Sequence, residues 1–440
     1  MRKSFITASI ALFFASVTMQ TQATNLLDAY KDAVQNDPQT LKAKANYEAV
    51  LQTEEQAFAR LLPNLSFSAG YSLGNSEAVS STTGDVYDYD SSNLNYGLTL
   101  TQTIFKMGDW YNLDAAEKRA LQAQTSLNLA QQTLIQRVAQ SYFNVLKAQD
   151  NLEFSQAEKK AIERQLEQTK ERFKVGLTAI TDVHEAQANY DNAVATEIRS
   201  KSNVEISKET LREITGKFYN NFNPLNTERF EASLPMPNDV QQWVKKAEQN
   251  NLELKGKELV VEAAKFDIKR ADAGHYPTLN LTASVSTNDA GKDIDSPALN
   301  SSSIGLTLNV PIYSGGGTTA AVKQAQANYV FASEDREAAY RAAVRSVRTS
   351  FADVSSLVST LKALNQSVVS AESALQATQA GFDVGTRTIV DVLNSTRNLY
   401  NAKRNLATSR YDYILAMLTL RQASGELNGK DLAAVNSGLK

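Results

Sequence analysis

The chain has 440 residues, with 45 Lys plus Arg against 48 Asp plus Glu, no cysteine, and only two histidines, His184 and His275. The acid-leaning balance argues against nucleic acid as a partner, because phosphate binding wants a basic surface. The lack of cysteine excludes disulfides, thiol chemistry and a lipid on an N-terminal cysteine, and so few histidines disfavour a histidine-based metal site. No cofactor or metal is expected.

Residues 1–23 read as a secretory signal peptide. Arg2 and Lys3 form its charged start, 6–17 its apolar stretch, and Thr21-Gln22-Ala23 a small-residue cleavage site. The mature chain then begins at Thr24 with 417 residues, and loss of Arg2 and Lys3 leaves 43 basic against 48 acidic groups, a net charge of −5. Beyond the leader no run of 18 apolar residues occurs, so any membrane crossing is by strands.

A first repeat spans 24–222. It opens with a helix over about 26–60, followed by two segments of period-two alternation, 65–73 and 94–105. In the first, Leu65, Phe67, Ala69, Tyr71 and Leu73 oppose Ser66, Ser68, Gly70 and Ser72; in the second, Leu94, Tyr96, Leu98 and Leu100 oppose Asn95, Gly97, Thr99 and Thr101. Alternation is the strand signal, and 9–11 residues suit a tilted bilayer crossing. The small uncharged polar face suits a hydrated lumen; a soluble sandwich with one wet face is the blander alternative. Residues 74–93 read as a long outer loop. A long helix follows over 109–174 with a 3-4 seam through Leu113, Ala116, Ala120, Ala123, Leu127, Ala130, Leu134 and Val138. It breaks at Val175-Gly176-Leu177-Thr178, glycine being the usual helix stop, and returns over 179–215.

An inter-repeat linker with Pro224, Pro235 and Pro237 occupies 223–237, and a second repeat spans 238–424. Its helix covers about 238–273 and its strands 279–287 and 304–313, joined by a loop over 288–302. Its long helix 318–384 carries the seam Val347, Phe351, Val354, Leu357, Leu361, Leu364, Val368, Ala371, Leu375, Thr378 and Phe382. The break is Val384-Gly385-Thr386-Arg387, and the return helix 388–424 is followed by a small tail, 425–440. Segment 97–105 returns as 305–313, and Phe173-Lys174-Val175-Gly176 with Asp182-Val183 returns as Phe382-Asp383-Val384-Gly385 with Asp391-Val392.

Three features are decoys. Ser314-Gly315-Gly316-Gly317-Thr318 lacks the lysine and spacing of a phosphate loop. The aromatics Tyr71, Tyr96, Phe105, Trp110, Tyr276 and Tyr313 near the strand ends fit an interfacial belt better than a substrate stack. The loop acids Asp85, Asp88, Asp90, Asp289, Asp293 and Asp295 fit no calcium loop. No nucleophile–base set occurs, and no enzyme activity is expected.

Four strands cannot close a barrel, and single-chain barrels start at eight. Two, three or four copies would supply 8, 12 or 16 strands. The chain resembles the TolC family of outer-membrane efflux ducts of Gram-negative bacteria. The resemblance runs from the leader to the end, most closely at Phe143-Asn144-Val145-Leu146, Arg172-Phe173-Lys174-Val175-Gly176-Leu177, Ala179-Ile180-Thr181-Asp182-Val183 and Val384-Gly385-Thr386-Arg387-Thr388-Ile389-Val390-Asp391-Val392-Leu393. It implies a mixed α and β fold: a homotrimeric 12-stranded outer-membrane β-barrel, four strands per chain. That barrel would continue into a 12-helix periplasmic α-barrel of coiled-coil hairpins, with an equatorial domain from the linker and tail. It further implies a multidrug efflux and type I secretion duct embedded in outer-membrane lipid. The implied partners are a periplasmic membrane-fusion adaptor and an inner-membrane pump of RND or ABC type. The alternatives are a periplasm-spanning tether without conduction, or a duct dedicated to type I protein secretion.

Arg387 and Asp182 each follow a helix-breaking glycine, and their charges can pair across neighbouring hairpins or simply stay solvated. The resemblance implies a gate in which Arg387 faces Thr181 and Asp182 of a neighbour. It also implies adaptor contact at Val175, Gly176, Leu177, Thr178, Val384, Gly385 and Thr386. Phe382 stands where the family has a tyrosine whose hydroxyl bonds Asp182, and that bond, worth about 0.5–1.5 kcal/mol, cannot form here. The seam spacing gives Phe382 a packing role as well. Asp391 and position 394 share a helix face. The family has aspartate at both, forming a cation-selective ring; with Asn394 here, three carboxylates would remain of six.

Overall fold

A computed structural model of the chain describes residues 24–289 and 298–440; the expected leader, Asp293 and Asp295 lie outside the described residues. Among those residues α1 (Leu26–Asn36) and α2 (Pro38–Ala59) lead into β1 (Asn64–Val79) and β2 (Val86–Phe105), then α3 (Met107–Lys174) and α4 (Ile180–Thr215). The second half repeats this order with α5 (Val240–Asn250), α6 (Leu252–Asp272), β3 (Thr278–Asp289), β4 (Leu299–Asn309), α7 (Gly317–Asp383) and α8 (Ile389–Ala423). The chain closes with α9 (Gly429–Asn436). At about 1.5 Å per residue, α3 and α7 each reach about 100 Å.

The single helices expected over 26–60 and 238–273 are each two. Asp37 leaves the helical region and caps α2 through Thr40 N, 2.8 Å from its Oδ2, while Pro38 supplies a first residue with no N–H to satisfy. Asn251 does the same for α6, accepting from Leu254 N at 3.0 Å. The first strands also run further than 65–73 and 94–105. Asn75↔Asp90 and Gly74↔Ser91 continue the ladder, with Asn75 Nδ2 donating to Asp90 Oδ1 at 2.9 Å, and only 80–85 form the turn. Polar pairs carry no hydrophobic alternation, so their strand character shows only in the pairing. β4 ends at Asn309, short of the expected 313, because Pro311 has no donor for a ladder.

The sheet order is β1-β2-β3-β4, antiparallel throughout, so β1 and β4 each keep an edge with no partner among the described residues. Register places Leu65, Leu100, Ala283 and Ile304 in one row, and Leu306 and Leu308 on the same face. That face is open: Leu65, Phe67, Leu98, Ile304 and Leu306 are all exposed. The opposite face carries Ser66, Thr99, Ser284 and Ser303 in one row, the last two hydroxyls 2.9 Å apart. Gly97 lies between strands so closely that a side chain there would press on Val285 O at 2.8 Å and Ser286 Cβ at 2.9 Å. An apolar face of this extent is unusual unless something covers it.

Between the strands and the tips lies the main core. Leu134, Val138, Tyr142, Phe143 and Leu146 of α3 pack against Leu26 of α1, Leu211 of α4, Trp243 of α5 and Leu418 and Leu420 of α8. The linker and tail join this layer. Thr24 bridges Phe222, Leu225 bridges Leu439, and Leu432 of α9 is fully buried. The Tyr142 hydroxyl lies 3.0 Å from Thr24 O and 3.1 Å from Asn223 O. From there the hairpins α3/α4 and α7/α8 descend to two tight tips. No helix among the described residues is long and apolar enough to cross a membrane.

Candidate gate at the hairpin tips

Both tips close by the same backbone device. Gly176, at φ +77°, sends its N–H to Phe173 O (3.0 Å), and Leu177 N–H reaches back to Arg172 O (2.8 Å). In the second hairpin Gly385, at φ +81°, bonds Phe382 O (3.1 Å) and Thr386 N–H bonds Gly381 O (2.8 Å). This pairing of the last carbonyls is the Schellman arrangement, and the left-handed residue in it favours glycine. The tips then present apolar side chains to solvent: Val175, Leu177 and Val384 are 70%, 68% and 76% exposed.

The charged groups fall as follows. Thr178 lies just outside α4 and its hydroxyl donates to the Asp182 carboxylate. Thr181 is exposed one residue earlier. Arg387 is exposed, with its backbone N–H bound to Gly381 O at 3.2 Å. Its aliphatic stem covers Gly381 so closely that a Cβ there would lie 2.7 Å from Arg387 Cγ. Within one chain Arg387 has no carboxylate within 4 Å among the described residues, so Arg387 and Asp182 are not brought together there.

Asp391 has a task of its own. Its Oδ2 accepts from Thr388 N and Thr388 Oγ1, both at 2.9 Å, while its N–H reaches Thr388 Oγ1 at 3.2 Å: a capping box that starts α8. The backbone hydrogen bond from Thr388, then its hydroxyl, and then the Arg387 charge hold this carboxyl below its usual range. Asn394, one turn on, is exposed.

Phe382 is buried in the apolar cluster that ties the two tips, with Ile162 and Leu166 of α3, Ala186 of α4 and Ile389, Val392 and Leu393 of α8. Arg172 stacks on its open side, Cζ 4.6 Å from the ring centroid, with Nη1 3.9 Å from Asp383 Oδ1. Arg172 and Asp383 have no role in the sequence reading. The only signal available was an arginine one turn before the first tip and an acid beside the second, 211 positions apart in the chain.

Chemically, this site holds charges, caps and an apolar plug but no reacting constellation. No cluster of three or more metal-ligating side chains occurs among the described residues.

Comparison with known proteins agrees with this architecture. The outer membrane efflux protein family matches residues 29–217 and 243–426. The chain is 43% identical to the outer membrane protein TolC of Vibrio cholerae serotype O1, over 99% of this chain and 98% of that protein. It is 30% identical to the alkaline protease secretion protein AprF of Pseudomonas aeruginosa, over 94% of this chain and 87% of that one. Among solved structures, the Campylobacter jejuni CmeC outer membrane channel superposes with a TM-score of 0.80 at 17% identity, covering 100% of this chain and 98% of that chain.

Proposed function

The chain belongs to the outer membrane efflux protein family, and from that premise we propose that it is the exit duct of tripartite efflux pumps and type I secretion systems. It passes drugs, other small molecules and proteins from inner-membrane transporters to the exterior. Three copies complete a 12-stranded barrel in the outer membrane and a 12-helix tunnel below it, after a leader directs export.

One observation carries this reading: the sheet turns its Leu, Phe and Ile to one face and its Ser, Thr and Gly to the other, and among the described residues leaves both edges open. Lipid covers such an apolar face, and copies of the same sheet satisfy the edges, since an open edge is not tolerated in hydrocarbon. The same three-fold arrangement sets Arg387 of one copy opposite Thr181 and Asp182 of the next. An adaptor grips the exposed apolar tips around Gly176 and Gly385, and an RND or ABC pump supplies the energy. Taking the gate from mostly closed to mostly open requires about 5.5 kcal/mol of differential binding. Three copies of a charge-assisted link are on that scale. A tether without conduction would have no use for a polar inner face.

The test is single-channel conductance of the purified protein in a planar bilayer. A small cation-selective current that a trivalent cation blocks from the tip side is the expected result, and Arg387→Ser, alone or with Asp182→Ala, raises it. A correctly inserted oligomer that carries no current would overturn the duct; unchanged conductance in the variants would remove these residues from the gate.

A further inference from the structure

Apolar packing between the two hairpins is interrupted. One buried cluster includes Val145, Leu146, Leu406 and Tyr411; the other, near the tips, includes Ile162, Leu166, Ala186 and Val392. Between them Ser155, Glu158, Asn189, Arg397, Asn401 and Arg404 help line a polar cavity of about 170 Å³. Arg404 of α8 donates Nη1 to Glu158 Oε2 of α3 at 2.8 Å and Nη2 to Asn401 Oδ1 at 2.6 Å. Arg397, seven residues earlier on the same face of α8, donates Nη2 to Asn189 Oδ1 of α4. The pair Glu158 and Arg404 is largely shielded, its side chains 11% and 20% exposed. Lys159 and Glu197, 2.9 Å apart, separately tie α3 to α4.

A void gives its lining no dispersion contacts on one side, and a polar contact can be replaced by water whereas an apolar seam cannot. α8 is therefore joined to the first hairpin here by bonds that are specific but exchangeable. At about 1.5 Å per residue this belt lies about 15–25 Å above Arg387. Two arginines make the join, each fixing a rigid planar fork to an oxygen on another helix.

We propose that Arg397 and Arg404, with Asn189 and Glu158, form a second latch of the duct, above the tips, that must release α8 from α3 and α4 before the tips can part. The inference rests on the duct reading. The four residues are positioning residues: they set where α8 lies.

The chain has no cysteine, so Asn189→Cys with Arg397→Cys gives a pair that a reducible bis-maleimide can bridge selectively. The assembled protein is measured in a planar bilayer. The unbridged variant removes the Arg397–Asn189 half of the latch and is expected to conduct at least about twofold more than the native duct. Bridging returns it to the native level or below, and reductant reverses that. The same bridge between Lys159→Cys and Glu197→Cys, within one hairpin, is expected to change nothing. Should the double variant fail to assemble, Arg404→Gln removes the charge paired with Glu158 of α3, and a rise in conductance reads the same latch.

Native conductance in the unbridged variant, unmoved by bridging, while Arg387→Ser still opens the channel, would overturn the latch and leave the duct standing. No current from any of these proteins would overturn both.

Discussion

The Arg172 guanidinium carbon lies 4.6 Å from the centre of the Phe382 ring, with Nη1 3.9 Å from Asp383 Oδ1, so the last turns of α3 and α7 are joined by a stack. Phe382 is also 6% exposed and packed among side chains of α3, α4 and α8. Phe382→Ala is expected to cost about 3–5 kcal/mol through the cavity it leaves, read by thermal unfolding of the oligomer. Arg172→Gln removes the stack and the long contact to Asp383 together, about 0.5–1 kcal/mol at a partly exposed site. Phe382→Tyr keeps the ring in place, adds a hydroxyl, and is expected to lower conductance; an increase would show that the hydroxyl disturbs the plug.

In the ring proposed at Asp391 and position 394, Asn394→Asp is expected to tighten block by a trivalent cation, because it would double the carboxylates from three to six. Asp391→Asn is expected to weaken block and to loosen the start of α8 as well, since it loses the carboxylate that accepts from Thr388 N and Oγ1. Equal block in the native protein and Asn394→Asp would remove position 394 from the constriction.

Acid should weaken the junction of α1 and α2. Asp37 is fully buried; burial pushes its carboxyl up, but hydrogen bonds from Arg137 and Thr40 outweigh this and hold it below its usual value of 3.8. Arg137 Nη1 donates to Oδ2 at 3.1 Å, while Nη2, 3.1 Å from Oδ1, is off the hydrogen-bond direction. A depressed folded value means that this stability is present above the usual value and is lost as pH falls through the folded one. Asp37→Asn should cost about 1–3 kcal/mol at neutral pH. The gap in melting temperature from the native protein should close below pH 3.8.

Gly425 is where the return helix hands over to the tail. Its φ is +76°, and a Cβ there would run into the Asn250 carbonyl at the α5–α6 junction, beside which Asn251 Nδ2 donates to Ala423 O at 3.0 Å. Gly425→Ala is expected to cost about 1–3 kcal/mol and to lower the melting temperature without changing conductance of the protein that remains folded.

Much of this architecture is legible in the sequence. The 3-4 seams, the glycines at 176 and 385, and the period-two strands each state their own local geometry, and the helical hairpins fall within a residue or two of where those signals put them. The helix breaks at Asp37 and Asn251 were not legible, because each depends on one capping side chain within an otherwise helical stretch. Nor was the polar extension of the β1–β2 hairpin, since Asn75 and Asp90 reveal a strand only by facing each other.

What the sequence by itself determined about this protein is therefore its repeats, its helix stops and the two-faced strands that call for a membrane and for more copies. These follow from periodicity and from the backbone freedom of single residues. Only the tertiary structure decided that Arg172 covers Phe382 and that Arg397 and Arg404 span from α8 to Asn189 and Glu158. These partners lie more than 200 residues apart in the chain. Their meeting depends on how far one long helix slides along another, and a slide of a single turn would give each of them a different neighbour.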